Sequence, residues 1–337
     1  MIKLAVVILN WNGRKFLEQF LPSIEKNTPN DIAEIWVADN ASTDDSIDFL
    51  KQNYQNVKIL QLDQNYWYAG GYNRALKQIE ADYYCLLNSD VEVTENWVEP
   101  VLDYFENHPE VAAIQPKIKA YNDKESFEYA GAAGGFMDKY GYTFCRGRII
   151  NTIEKDTGQY DDVKEIFWAT GACLFIRSKD FLENELDEDF YAHMEEIDLC
   201  WRLNNLGRKV VYIPTSTVYH VGAGSLSSES PRKLFLNFRN NLFMLYKNLP
   251  KGKLFTTIFI RMILDGMSSI VFLFQLKFSY FTAVLKAHID FYKKIKIFKN
   301  KRSKLLGYNK LHKEIYTKSI VFDYFIKKKS IFTKLNF

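Results

Sequence analysis

One rhythm constrains the fold more than any other feature of this chain. From residue 1 to about 115, short β-rich apolar runs alternate with stretches of helical periodicity, the pattern of a parallel sheet covered by helices. The runs predict strands at about 3–9, 33–38, 57–62, 83–87 and 111–115. Between them, helices are predicted at about 14–26, 44–53, 70–80 and 95–107. In open sheets of this kind ligands sit beyond the carboxyl ends of the strands. The polar clusters that close these strands are therefore where chemistry is sought: Asn10-Trp11-Asn12, Asp39-Asn40, Asn65 and Asn88-Ser89-Asp90.

The remainder is organised differently. Residues 117–165, rich in Gly and Tyr, read as loops and hairpins that shape a pocket wall. Regular structure returns with a strand at about 166–176, a helix at about 194–206 and a strand at 209–213. Beyond about 232 the pattern is helical and basic. Residues 247–337 hold 20 Lys/Arg and 4 Asp/Glu, against 24 and 37 in residues 1–246, so the two parts are expected to meet different partners. This places a first domain at 1–248 and a basic amphipathic helical region at 249–337. Within the latter, 254–276 combines a wide apolar face (Phe255, Ile258, Phe259, Met262) with a narrow polar stripe at Thr257, Arg261, Asp265, Ser268 and Gln275. Arg261 and Asp265 interrupt a run that, to span a membrane, needs about 20 largely apolar residues. The next stretch, 278–299, sets Phe278, Phe281, Leu285 and Phe291 beside Lys286, Lys293, Lys294 and Lys296, a pairing that suits the surface of an anionic membrane. No helix-turn-helix, zinc-finger or RNP signature accompanies the charge, and no nucleic-acid partner is expected.

Composition narrows the class further. A 337-residue chain with 47% apolar and 25% charged residues is that of a folded protein. Cys85, Cys145, Cys173 and Cys200 are too few and too scattered for a disulfide scaffold, and form no CxxC pair, which fits a reducing compartment. The apolar run from Leu4 to Leu9 is too short for a signal-peptide core and reads as a buried first strand. The expected location is cytoplasmic, peripheral at the inner face of the cell membrane.

Several residues have the right chemistry for a site. Asp39 closes an apolar strand, where a carboxylate can accept from a ribose hydroxyl or a base imide; helix capping by Ser42 or Thr43 is the structural alternative. The string Asn65 to Arg74 places Gly70 and Gly71 at a helix start, where a bare backbone can approach a ligand and the helix N-terminus favours an anion; a tight turn is the alternative. Neither G-x-G-x-x-G nor a P-loop is present, which weakens the dehydrogenase and P-loop readings. Asp90, just past a strand, can hold Mg²⁺ or Mn²⁺ against the two phosphates of a nucleotide. Glu195, Glu196 and Asp198 crowd the start of a helix, with Glu195 and Asp198 on one face and Glu196 about 100° away. Asp198 and Arg202 make an i,i+4 pair, so Asp198 reads as structural and one of the glutamates as general base. His220, in a Gly-rich loop after a strand, can complete a metal site with Asp90 or simply bond the backbone.

Taken in order, these strings resemble the family 2 glycosyltransferases of the GT-A fold, especially the bacterial rhamnosyltransferase-like members. The resemblance runs from residue 2 to about 248. It is carried by Val6-Val-Ile-Leu-Asn-Trp-Asn-Gly13, Asp39-Asn-Ala-Ser-Thr-Asp44, Asn65 through Arg74, Leu86-Leu-Asn-Ser-Asp90, Gly171-Ala-Cys-Leu-Phe-Ile-Arg177, Glu195-Glu-Ile-Asp-Leu-Cys-Trp-Arg202, and His220 with Gly222 and Gly224. The resemblance implies an α/β architecture with a mostly parallel central sheet, followed by the basic helical region. It implies that Asn10, Trp11, Asn12, Asp39, Asn65, Gly70, Gly71, Arg74 and Asn88 bind the nucleotide-sugar. Asp90 would be the metal-binding last residue of a DxD-like motif, and His220 a further ligand. Glu196 occupies the position of the family's base, one methylene longer than the usual Asp, with Glu195 as the alternative. Asn88 and Ser89 leave Asp90 the sole carboxylate of its motif, so metal binding should depend on the diphosphate. The implied activity is inverting, metal-dependent transfer from a nucleotide-sugar, dTDP-L-rhamnose first, to a glycan or polyprenyl-diphosphate-linked acceptor in bacterial cell-surface polysaccharide synthesis. A sugar nucleotidyltransferase and an inactive GT-A-like membrane scaffold are the alternatives, the latter suggested by Glu196 and Asn88.

Overall fold

The structure, a computed structural model, describes residues 3–222, 230–305 and 312–337. The early rhythm resolves into β1 (Leu4–Asn10), β2 (Ala33–Asp39), β3 (Lys58–Gln61) and β4 (Tyr83–Leu87), with α1 (Arg14–Asn27), α2 (Ser46–Asn53) and α3 (Trp67–Leu76) between them. All four strands are parallel, with β1 between β2 and β4, and Asn10 lies in register with Asp39. Both faces of β1 are covered, which is why its apolar run is continuous rather than alternating. Leu4, Val6 and Ile8 meet Leu17, Leu21 and Ile24 of α1. Ala5 and Val7 meet Ala69, Tyr72 and Leu76 of α3.

The sheet then turns mixed. After β5 (Val91–Val93) and α4 (Glu99–Asn107) come β6 (Val111–Ala120) and β7 (Asp123–Phe127). The segment read as loops and hairpins holds β8 (Gly135–Asp138), β9 (Thr143–Cys145), β10 (Arg148–Ile149), β11 (Thr152–Ile153) and β12 (Lys164–Glu165). The strand expected at about 166–176 is only β13 (Cys173–Arg177), and it enters between β4 and β6 antiparallel to both. Residues 166–168 instead lie against Gly135, where an added Cβ would fall 2.1 Å from the Trp168 ring. After α5 (Ser178–Asn184) and α6 (Glu195–Asn205), β14 (Lys209–His220) pairs parallel to β6 and runs seven residues beyond the strand expected at 209–213. His220 is thus the last residue of a strand and not part of a glycine-rich loop.

The C-terminal region is helical, as expected: α7 (Pro231–Asn248), α8 (Lys251–Phe274), α9 (Phe278–Lys304) and α10 (Ile320–Phe325). It is also woven into the first part of the chain. β15 (Ile315–Tyr316) adds a parallel strand to β8, completing a second sheet of order β11-β10-β9-β8-β15. Phe332 and Phe337 pack on Phe136 and Phe144 of that sheet. α7 packs on α9 through Phe243 and Phe298, whose rings stack 3.9 Å apart.

Candidate active site

The carboxyl edge of the sheet brings together three of the expected clusters. Asn10 is fully buried at the end of β1 and donates its amide to the Asp39 carboxylate at 3.0 Å and to Ser42 Oγ at 3.1 Å. Asp39 also accepts from the backbone N–H of Ser42 at 2.9 Å and from its hydroxyl. Ser42 therefore closes the strand-end turn and does not cap a helix: α2 begins at Ser46, whose N–H and hydroxyl bond Asp44. Asn12 holds the same turn from outside, its amide oxygen accepting from the N–H groups of Thr43 and Asp44. Trp11 is exposed.

Asn65 joins through Asn40, the second residue of the Asp39-Asn40 cluster. Asn40 donates to Asn65 Oδ1 at 3.1 Å and accepts from the N–H of Tyr66 at 2.9 Å. This lock starts α3 at Trp67, so Gly70 and Gly71 lie within the helix and not at its beginning. Packing explains them: a Cβ on Gly71 would sit 2.8 Å from Leu9 Cδ1, and one on Gly70 would sit 3.0 Å from Tyr66 Cβ. Arg74 lies over the Tyr66 ring and pairs with Glu188 at 2.8 Å.

Asp90, between β4 and β5, meets His220, the last residue of β14. Asp90 Oδ1 lies 3.2 Å from His220 Nε2, both residues are buried, and Asn88 Nδ2 is 3.5 Å from the same nitrogen. On the other side of the ring, Glu128 Oε1 stands 3.5 Å from Nδ1. Burial alone would lower the imidazole's pKa, but the Asp90 and Glu128 carboxylates outweigh it and raise it to about 10. By donor chemistry the pair could hold a divalent cation in place of the shared proton, through the Asp90 carboxylate and the deprotonated imidazole nitrogen. Among the described residues no group of three His, Cys, Asp or Glu side chains could hold a metal. A cation held by only two side chains would need further ligands, which a diphosphate could supply. Gly222 lies just past His220 with φ +70° and its Cβ position 3.1 Å from Glu128; Gly224 lies outside the described residues.

The glutamates stand at the mouth of a strained turn. Tyr191, His193 and Met194 all have positive φ (65°, 70° and 74°), and Glu195 and Glu196 follow as the first residues of α6. Such conformations cost on the order of 1–3 kcal/mol each and persist only where the surroundings impose them. Here Asn240 of α7 imposes them: its amide nitrogen reaches the carbonyl oxygens of Phe190, Ala192 and His193 at 2.9, 2.9 and 2.7 Å. Glu195 Oε2, Glu196 Oε2 and His193 Nε2 are buried with no hydrogen-bond partner. Burial raises the Glu196 carboxyl to about 7. Burial and the neighbouring Glu196 charge push Glu195 well above the carboxylate range. Both carboxylates act in turn on Tyr68, whose hydroxyl donates to Gly171 at 2.8 Å, while Ala172 accepts from the N–H of Asn88. That backbone links the two halves of the site.

Asp198 is structural, as its spacing predicts. It takes Arg202 at 2.9 Å, Lys247 at 2.8 Å and Asn248 at 2.7 Å. Burial would raise its carboxyl, but the Lys247 and Arg202 charges hold it at about 2. Glu128 and Asn240 carry no signal that marks them as site residues from sequence, whereas Asn40 stands in the strand-end cluster with Asp39. Asn240 lies in the polar run Arg239-Asn240-Asn241 between apolar residues of α7.

A mostly parallel sheet with the antiparallel β13 at its centre, carrying an acid–imidazole pair and a helix-borne carboxylate pair at its carboxyl edge, has the architecture of the GT-A transferases. The profile of glycosyl transferase family 2 matches residues 5–181, and the chain belongs to that family. It is 25% identical over 261 residues to the N-acetylglucosaminyl-diphospho-decaprenol L-rhamnosyltransferase of Mycobacterium tuberculosis, covering 72% of this chain and 83% of that protein. It is 22% identical to the rhamnosyltransferase WbbL of Escherichia coli, covering 64% and 82%. Among solved structures, the mannosyltransferase PcManGT of Pyrobaculum calidifontis, in complex with GDP-Man and Mn²⁺, superposes with a TM-score of 0.54 at 10% identity, covering 86% of each chain.

Proposed function

We propose that this family 2 enzyme transfers a sugar, with inversion, from a nucleotide-sugar to a glycan or polyprenyl-diphosphate-linked acceptor in cell-surface polysaccharide synthesis. The observation that carries the reading is the meeting, at one sheet edge, of the Asp90–His220 pair with two glutamates that each end in a buried oxygen without a hydrogen-bond partner. The mycobacterial relative acts on a decaprenyl-diphosphate-linked sugar and is a rhamnosyltransferase, as is WbbL, which supports dTDP-L-rhamnose as donor.

In this reading Asp39, fixed by Asn10 and Ser42, lines the nucleotide end of the cleft with Asn12, Asn65 and Asn88. Asp90 and His220 would hold Mg²⁺ or Mn²⁺. Bound there, the cation supplies positive charge to the nucleoside diphosphate as it leaves. Glu196 takes the proton of the acceptor hydroxyl while its oxygen bonds the anomeric carbon and the bond to the diphosphate breaks. A single displacement inverts that carbon. Glu196 is favoured over Glu195 because it is only partly buried, whereas Glu195 is 3% exposed. The acceptor is met at the inner face of the membrane, toward which the basic C-terminal region is directed.

Calorimetry with nucleoside diphosphates tests the metal half of the site. Binding is expected with Mn²⁺ or Mg²⁺, with loss on chelation and in Asp90→Ala. Binding indifferent to metal in both proteins contradicts the assignment, and release of pyrophosphate from a nucleoside triphosphate and a sugar phosphate would favour the nucleotidyltransferase.

A further inference from the structure

The helix α8 packs part-buried Leu254, Ile258 and Met262 on the core, but the residues it buries most are polar. Its buried residues, Thr257, Arg261, Asp265 and Ser269, form an i,i+4 row that is polar at every position. Two residues further on, which is about 200° around the helix, runs the row Phe255, Phe259, Ile263, Met267 and Val271, and all five are exposed, Phe255 by 80%. Ile270, Phe274, Leu276 and Phe278 carry the exposed surface around the turn into α9. The row is bonded at its centre, at Arg261 and Asp265, while the Ser269 hydroxyl is buried without a partner. Arg261 pairs with Asp265 at 2.7 Å, donates to Asn241 Oδ1 at 2.7 Å and lies over the Tyr142 ring, and His288 of α9 reaches Asp265 at 3.4 Å. This arrangement costs free energy in water and resembles the lipid-facing logic of a membrane protein.

We propose that the outer face of α8 is a membrane-seating surface, buried side-on in one leaflet with the helix axis parallel to the bilayer. It rests on the reading of the C-terminal region as membrane-associating, and gives that reading a surface and an orientation. The charge argues for an anionic leaflet: residues 247–337 hold 20 Lys/Arg and 4 Asp/Glu. The polar row argues against spanning. With a mean hydropathy of 1.7, the helix is long and apolar enough to cross a bilayer. Yet its partners Tyr140, Tyr142 and Asn241 belong to the β8–β9 hairpin and to α7, so a crossing would draw folded polar structure into hydrocarbon. Lying flat, the same helix buries its apolar row and keeps the domain in water. The polar row then fixes the catalytic domain to the helix and sets its height above the surface.

The test uses the full chain with an environment-sensitive fluorophore on single cysteines, because the four native thiols are buried. Phe255→Cys, Phe259→Cys, Met267→Cys and Phe274→Cys are labelled and mixed with vesicles of phosphatidylglycerol and phosphatidylcholine. Expected are blue-shifted emission at all four positions and equal quenching by shallow spin-labelled lipids. Quenching that deepens from 255 to 267 and becomes shallow again at 274 means a spanning helix and overturns the proposal. Emission that shifts with protein concentration but not with lipid means a second copy of the chain covers the face, and also overturns it. As a control on folding, Phe255→Asp/Phe259→Asp/Phe274→Asp is expected to lose at least tenfold in flotation with these vesicles while keeping nucleoside diphosphate binding. Loss of flotation together with that binding would report misfolding, and the fluorophore series then decides. None of these readouts depends on sugar transfer, so failure here leaves the glycosyltransferase reading standing.

Discussion

At the residue scale, two side chains control the proposed base. Glu196 ends in an oxygen without a partner in a buried setting that raises its carboxyl to about 7. A base must be deprotonated to act, so a raised value means that turnover falls as pH drops through about 7, by up to tenfold for each further unit. The rate of donor consumption against pH is expected to show that acidic limb in the wild type. Glu196→Gln should lose about 10²–10⁴-fold in kcat, the usual worth of a positioned base. Should Glu196→Gln stay within a few-fold of wild type and Glu195→Gln collapse, the base is Glu195. Asn240 works one step back, holding the strained turn from Tyr191 to Met194 that delivers both glutamates. Asn240→Asp keeps the shape and removes the donors. A drop in kcat of at least tenfold with the donor KM unchanged is expected, together with a shift of the acidic limb. A lower melting temperature with unchanged kcat would reduce Asn240 to a structural residue.

At the element scale, the legibility of the sequence follows from the range of the forces involved. β1, β2, β4 and α1 are readable because both faces of a central parallel strand are apolar and the helices between them are amphipathic, signals that lie within a few residues. The clusters Asn10, Asp39 and Asp90 are readable for the same reason, since a strand end locates them. Glycine at a helix start and glycine at a close crossing are alike in sequence, so Gly70 and Gly71 are ambiguous there; only Leu9, distant in the chain, tells them apart. Glu128 and Asn240 act on His220 and on the 190–193 turn through pairing that no local pattern encodes. The choice of buried face on α8 is of the same kind: the periodicity shows two faces but not which one the protein keeps. The buried ion pair on that helix gives a stability test. Asp265→Ala leaves the Arg261 charge buried and should cost about 3–5 kcal/mol in chemical denaturation, whereas Arg261→Met/Asp265→Leu should cost less. Equal losses would mean that the row is not sealed from water.

At the scale of the whole molecule, the C-terminal region does two kinds of work in the same fold. Its tail completes the second sheet through β15 and covers the aromatic cluster around Phe136 and Phe144. Its helices meet the catalytic turn through α7, where Asn240 and Lys247 reach the 190–193 turn and Asp198. The turn that carries the proposed base and the proposed lipid-facing helix α8 are thus joined by α7. This connection is what an enzyme needs if it takes a soluble donor and delivers it to an acceptor at a membrane. The most direct measurement is nucleoside diphosphate release from a panel of dTDP-rhamnose, UDP-hexoses, UDP-N-acetylhexosamines and GDP-mannose, with a lipid-linked acceptor extract and with Mn²⁺ or EDTA. One donor is expected to be consumed, only with metal, and to be spared by both Asp90→Ala and Glu196→Gln. If no donor is consumed by the wild type with any acceptor extract, or if both variants turn over at the wild-type rate, the proposed glycosyl transfer at this site is contradicted.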